Sequence, residues 1–121
     1  LSQRGHSITI IDHQPDAFKR AHARGVLRDD FKGEVVIGDG TDAELLRTVG
    51  LDQAEYFIAL TEGDNRNIMA AQIAQVIFKV PTVICRIYDP IREEIYRNLG
   101  LKTYCPTLAG VSAITKLVSS A

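Results

Sequence analysis

Asp12, Asp39, Thr61 and the Arg86 to Asp89 stretch each close a run of aliphatic or β-branched residues. A carboxylate at the end of a strand only accepts hydrogen bonds. Its two oxygens can take both vicinal hydroxyls of a ribose while repelling a 2′-phosphate. Asp12 has that position, after Ile8-Thr9-Ile10-Ile11 and ahead of Pro15. The plainer reading is an ordinary turn-forming Asp before a proline. In GDGTD, residues 38–42, Gly38 and Gly40 let the main chain approach a flat base, and Asp39 can accept from an adenine amino group. The plainer reading is a turn whose Thr41 caps a helix, because Thr41-x-x-Glu44 has the spacing of a capping box. TEGDNRN, residues 61–67, leads into a helix whose first amides and dipole favour a phosphate, with Asp64 as a cap at the least. Arg86 interrupts an apolar strand near its polar end and needs a partner there, either a phosphate or a carboxylate such as Asp89. An internal ion pair is the commoner solution.

The elements that would carry these residues alternate from end to end. Strands are expected at 8–11, 34–37, 54–61, 82–87 and around 102–105. Leu1-Ser2-Gln3-Arg4 is compatible with a last helical turn closed by Gly5. Helices are expected from Pro15 to Gly25, with Ala17, Phe18, Ala21 and Val26 on one face, from 42 to Gly50, and from 65 to 80. Asp89 as N-cap and Pro90 at the first helical position launch another, stopped by Gly100, and a final helix occupies about 107–120. Continuous apolar strands separated by helices predict parallel strands covered on both faces, a doubly wound α/β sheet. Ligands of such sheets bind at the carboxyl ends of the strands, where the four polar stretches fall.

At 121 residues the chain has the length of one domain. Its formal charge of −1 leaves no electrostatic footprint for nucleic acid. No apolar run approaches the roughly 20 residues that span a bilayer. Cys85 and Cys105 match no metal or redox spacing and read as buried, reduced thiols. His6, His13 and His22 form no metal-spaced cluster. No Ser/His/Asp or Cys/His arrangement emerges, and Tyr88, Tyr96 and Tyr104 have no suitably spaced lysine for dehydrogenase chemistry. Nucleotide-site features without a reactive group favour a sensor over an enzyme. The rival is the nucleotide-binding part of an NAD-dependent oxidoreductase.

Taken together, Asp12-x-x-Pro15, GDGTD, FIALTEGDNRN and ICRIYDP resemble the KTN or RCK N-terminal domain (TrkA-N) of Trk/Ktr-type potassium-transport regulators. The likeness runs from His6 to about Ala113, and ALT-x-x-D-x-x-N and R-x-x-D-P are its specific parts. It implies a Rossmann-like fold without catalysis of its own, binding NAD(H) or an adenine nucleotide such as ATP, ADP or AMP. It implies a cytoplasmic location at the inner face of the membrane and a potassium transporter or channel subunit as partner. The implied site comprises Asp12 at the ribose, Asp39 at the adenine and Thr61 and Asn67 on the phosphate side, together with His13, Gly40, Thr41 and Arg86. The final helix, with Leu108, Val111, Ala113, Ile114, Leu117 and Val118, is expected to cross to a partner lobe in dimers that build larger rings, and otherwise to cover its own sheet. Two departures stand out. A glycine finger would lie about 20 residues before Asp12, ahead of Leu1. The central strand is therefore expected in about 25 upstream residues, and its loss opens a gap in the sheet. No regulatory lobe follows the last helix in this sequence.

Overall fold

The computed structural model describes residues 1, 4–25, 27 and 30–120. Ser2, Gln3 and Val26, which the sequence reading places in helical positions, lie outside the described residues. The chain divides into two compact units, Leu1–Val49 and Gly50–Ala121.

In the first unit, β1 (Thr9–Asp12) and β2 (Glu34–Ile37) form a parallel pair, with Ile10 opposite Val35 and Asp12 opposite Ile37. α1 (Ala17–Ala23) follows β1 and ends near Gly25 in the left-handed region, φ +70°. α2 (Ala43–Thr48) follows β2 and supplies Leu46, which is fully buried. The pair is tightly seated at its start. Glu34 N–H donates to the Ile8 carbonyl at 3.0 Å. A Cβ on the preceding Gly33 would collide with that same carbonyl and with the Phe31 ring. Backbone cannot move aside as a flexible side chain does, so glycine is required there.

In the second unit, β3 (Tyr56–Ala59), β4 (Thr82–Arg86) and β5 (Lys102–Tyr104) form a parallel sheet in that order. α3 (Asp64–Gln72) and α4 (Pro90–Asn98) make the crossovers, and α5 (Pro106–Ser119) ends the chain. The core is Ile68, Ala71, Ala74, Phe78, Val83, Cys85, Ile87 and Leu101. Asp89 caps α4, accepting from Ile91 N–H at 3.0 Å, and Gly50 and Gly100 turn the chain at positive φ. All of this follows from local sequence signals.

Three features depart from the sequence reading. The long helix expected over 65–80 is α3 followed by a π-helical stretch, Ile73–Ile77, in which Phe78 N–H reaches the Ile73 carbonyl at 3.3 Å. Lys79 then adopts φ +54°, doing without glycine what glycine does elsewhere. Second, the strands are not covered on both faces. Val35, Ile37, Tyr56 and Ile58 are exposed. In the order β3-β4-β5 both crossovers advance in one direction, so right-handed connections put their helices on one face. Alternate residues of β3 therefore face outward. Third, no residue of α5 is buried, and Leu108, Val111, Ile114, Leu117 and Val118 are exposed. That helix does not cover its own sheet. No helix among the described residues is long and apolar enough to cross a membrane.

Replacing Gly33 by Ala is expected to destabilise the first unit by about 1–3 kcal/mol, the range for forced overpacking. A shifted denaturant midpoint followed by circular dichroism checks this; an unchanged midpoint contradicts it.

Candidate functional site

The carboxyl edge of the β1–β2 pair gathers the first group of polar residues. Gly38 N–H donates to the Asp12 carbonyl at 2.9 Å, so Asp12 and the GDGTD turn leave the sheet side by side. Asp12 Oδ1 accepts from Gln14 N–H at 2.9 Å, an Asx turn that fixes the carboxylate. Its Oδ2 makes no hydrogen bond among the described residues. His13 is exposed, with Nδ1 3.9 Å from Asp12 Oδ1. Asp39 Oδ1 accepts from Thr41 N–H at 2.9 Å and from Thr41 Oγ1 at 2.7 Å. Gly40 lies open, with nothing within 4 Å of an added Cβ. The edge thus presents two oriented carboxylates, an exposed imidazole and accessible main chain.

One expectation is corrected here. Asp42, not Thr41, caps α2: its Oδ1 accepts from Glu44 N–H at 3.0 Å and Leu45 N–H at 3.4 Å. Thr41 has already given its hydroxyl to Asp39, and a carboxylate suits the positive helix start better than a hydroxyl. A Cβ at Gly38 would meet the end of the Leu45 side chain.

The carboxyl edge of the second unit is organised by Asn67, whose side chain is buried at 0 % exposure. Its Oδ1 accepts from Thr61 N–H at 2.7 Å and Thr61 Oγ1 at 2.6 Å. Its Nδ2 donates to the carbonyls of Thr61 and Arg86, both at 2.9 Å. The carboxamide is saturated. It is a positioning residue that ties the β3 exit to the β4 exit, and the expected ligand contact is corrected accordingly. Thr61 stays exposed beside the start of α3.

Arg86 does not pair with Asp89. Its Nη2 donates to the carbonyls of Leu60 and Thr61, the latter at 3.1 Å, and its guanidinium sits 5.0 Å from the centre of the Tyr88 ring. Nε is buried with no partner. Asp89 is engaged in capping α4 and lies 3.9 Å from Arg92 Nε. Asp64 is not the cap of α3 either. Gly63 occupies that position without a side-chain bond, and the Asp64 carboxylate reaches across to Tyr88 N–H at 2.8 Å and Asp89 N–H at 3.1 Å. Tyr88 was missed as a partner of Arg86, although spacing of two along an extended segment puts side chains on one face.

Both cysteines are free and buried. Burial, with a smaller push from the Asp64 charge, raises the Cys85 thiol to about 11, so it stays protonated and unreactive at neutral pH. No group of His, Cys, Asp or Glu among the described residues could hold a metal ion.

This arrangement, polar residues gathered at the carboxyl edges of parallel strands, is that of a Rossmann-like α/β domain. Residues 1–105 match the TrkA-N domain, and the chain belongs to that family. It is 43% identical over 103 residues to the Trk system potassium uptake protein TrkA of Streptomyces coelicolor, covering 85% of this chain and 44% of the relative. A TrkA homolog of Pyrococcus horikoshii is 33% identical over 105 residues, 86% of this chain and 43% of that protein. The chain spans less than half the length of these curated relatives. Two solved structures share the fold. One is the NAD(P)-binding domain of an exopolyphosphatase-related protein from Archaeoglobus fulgidus, with TM-score 0.74, 16% identity, and coverage of 99% of this chain and 85% of that one. The other is the Shewanella denitrificans Kef CTD in AMP-bound form, with TM-score 0.69, 20% identity, and coverage of 96% and 69%.

Asn67→Ala strands the Arg86 carbonyl and frees residues 61–63 from the helix. A loss of about 2–4 kcal/mol is expected, as for breaking a buried hydrogen-bond network. Equilibrium unfolding measures it, and a loss under half a kcal/mol contradicts the positioning role.

Proposed function

We propose that this chain is the nucleotide-binding regulatory domain of a potassium-transport system, and that it performs no chemistry of its own. The observation that carries the reading is the pairing of Asp12 and Asp39 at one carboxyl edge, each oriented by a turn. Asp12 offers its unengaged oxygen to the ribose hydroxyls of NAD(H), ATP, ADP or AMP, and its charge disfavours NADP. Asp39, Gly40 and Thr41 receive the adenine, and His13 flanks the ribose. In the second unit, the amides at the start of α3 and Arg86, whose positive charge has no carboxylate partner among the described residues, are the groups suited to a phosphate. Asn67 holds that loop in place. The names of the Trk relatives support a role in potassium uptake, and the AMP-bound Kef neighbour and the NAD(P)-binding neighbour support an adenine-nucleotide ligand.

The partner is a membrane potassium transporter or channel subunit, engaged from its cytoplasmic face. α5, unburied and apolar, crosses to a second copy, so that dimers assemble toward rings. Ligand exchange shifts the balance of two lobe orientations because it binds them unequally.

Titration calorimetry of the chain with NADH, NAD, ATP and AMP tests the reading. Saturable binding of at least one is expected. Asp12→Ala should weaken it about tenfold to a hundredfold, the value of a charge-assisted hydrogen-bond pair. No binding to any of the four, or an Asp12→Ala chain that binds equally well, overturns it.

A further inference from the structure

The main chain of Tyr88 is held from both sides by elements far apart in sequence. Its N–H donates to Asp64 Oδ1 at 2.8 Å, and the next amide, Asp89 N–H, donates to Asp64 Oδ2 at 3.1 Å. Its carbonyl accepts from Thr107 Oγ1 at 2.9 Å and lies 3.5 Å from Cys105 Sγ. Asp64 is the first residue of α3, directly after the 61–63 loop, and its side chain is only 8 % exposed. Thr107 lies in the first turn of α5. An acid opening a helix ordinarily serves that helix's own amides; this one commits both oxygens to another loop. Charge-assisted bonds are the stronger ones, and bonds in series polarise one another.

α5 has few other restraints. None of its residues is buried, and the chain leading into it is fixed by the Ile87 N–H bond to the Tyr104 carbonyl at 3.0 Å and by buried Cys105. Whatever moves the Tyr88 peptide therefore moves the root of a fourteen-residue lever.

We infer that Asp64, the Tyr88 main chain and Thr107 form a relay through which occupancy of the 61–67 loop sets the orientation of α5. The relay rests on the nucleotide reading for its input: phosphate arriving at the start of α3 brings negative charge toward the Asp64 carboxylate. Displacement of that carboxylate releases or draws the Tyr88 peptide, and Thr107 follows. A shared restraint becomes coupling only if both ends bias it, which a double-mutant cycle measures.

Amide hydrogen exchange of the full chain, read over 105–119 without nucleotide, tests the relay apart from any ligand. Asp64→Asn keeps the shape and loses the charge. It is expected to speed exchange in the first two turns of α5 about twofold or more, the lower end for coupled neighbours. In a Thr107→Val background the same change should add nothing, and Thr107→Ser should restore the effect. Equal effects in both backgrounds, or none in either, overturn the relay. In a second arm, saturating AMP or NADH should alter α5 exchange in the unmodified chain. Thr107→Val should bind the nucleotide unchanged yet leave α5 unaltered; an α5 that still responds in that variant contradicts the relay. Absence of binding contradicts the nucleotide reading instead, and the first arm still decides the relay.

Discussion

The buried carboxamide of Asn67 satisfies four polar partners at once, and three of them belong to the single residue Thr61. Because the group is sealed from solvent, each of those bonds must be made internally or forfeited at the full desolvation cost. That constraint fixes where β3 ends, where α3 begins and how close the β4 exit lies. Asp64 then reaches the 88–89 amides, and Arg86 closes on the Leu60 and Thr61 carbonyls, because Asn67 has already set their spacing. An arginine in this place answers to carbonyl oxygens and an aromatic face, with no acid paired to it among the described residues.

The other carboxyl edge has a different character. Asp12 and Asp39 are each bent onto the main chain two residues ahead, a local hydrogen bond that orients the carboxylate. Leu46 is the buried hydrophobic side chain of that unit among the described residues. A thin core under an ordered polar rim leaves local turns, rather than packing, to aim the acids.

Much of the architecture was legible from local signals. β2 occupies Glu34–Ile37, as its run of three β-branched residues marks, and Asp89-Pro90 starts α4 as the cap and the fixed φ of proline require. The positions of Asp12 and Asp39 at strand ends were equally plain. What escaped were interactions between residues distant in sequence. Nothing near Asp64 announces that it serves residues 88 and 89, and Thr41-x-x-Glu44 mimics a capping box although Asp42 does the capping. The apolar strands implied two covered faces, yet the direction of the crossovers leaves Tyr56 and Ile58 outside. The π-helical stretch Ile73–Ile77 has no glycine or proline to mark it in the sequence.

AMP is the part common to NAD(H), ATP and ADP, so it addresses the two acids without choosing among those ligands. The most direct measurement is a titration of the isotope-labelled chain with AMP, followed by amide chemical shifts in nuclear magnetic resonance. The account predicts the largest shifts at residues 12–14 and 38–41. Saturable shifts confined to other parts of the chain, with those two segments unmoved, would contradict it.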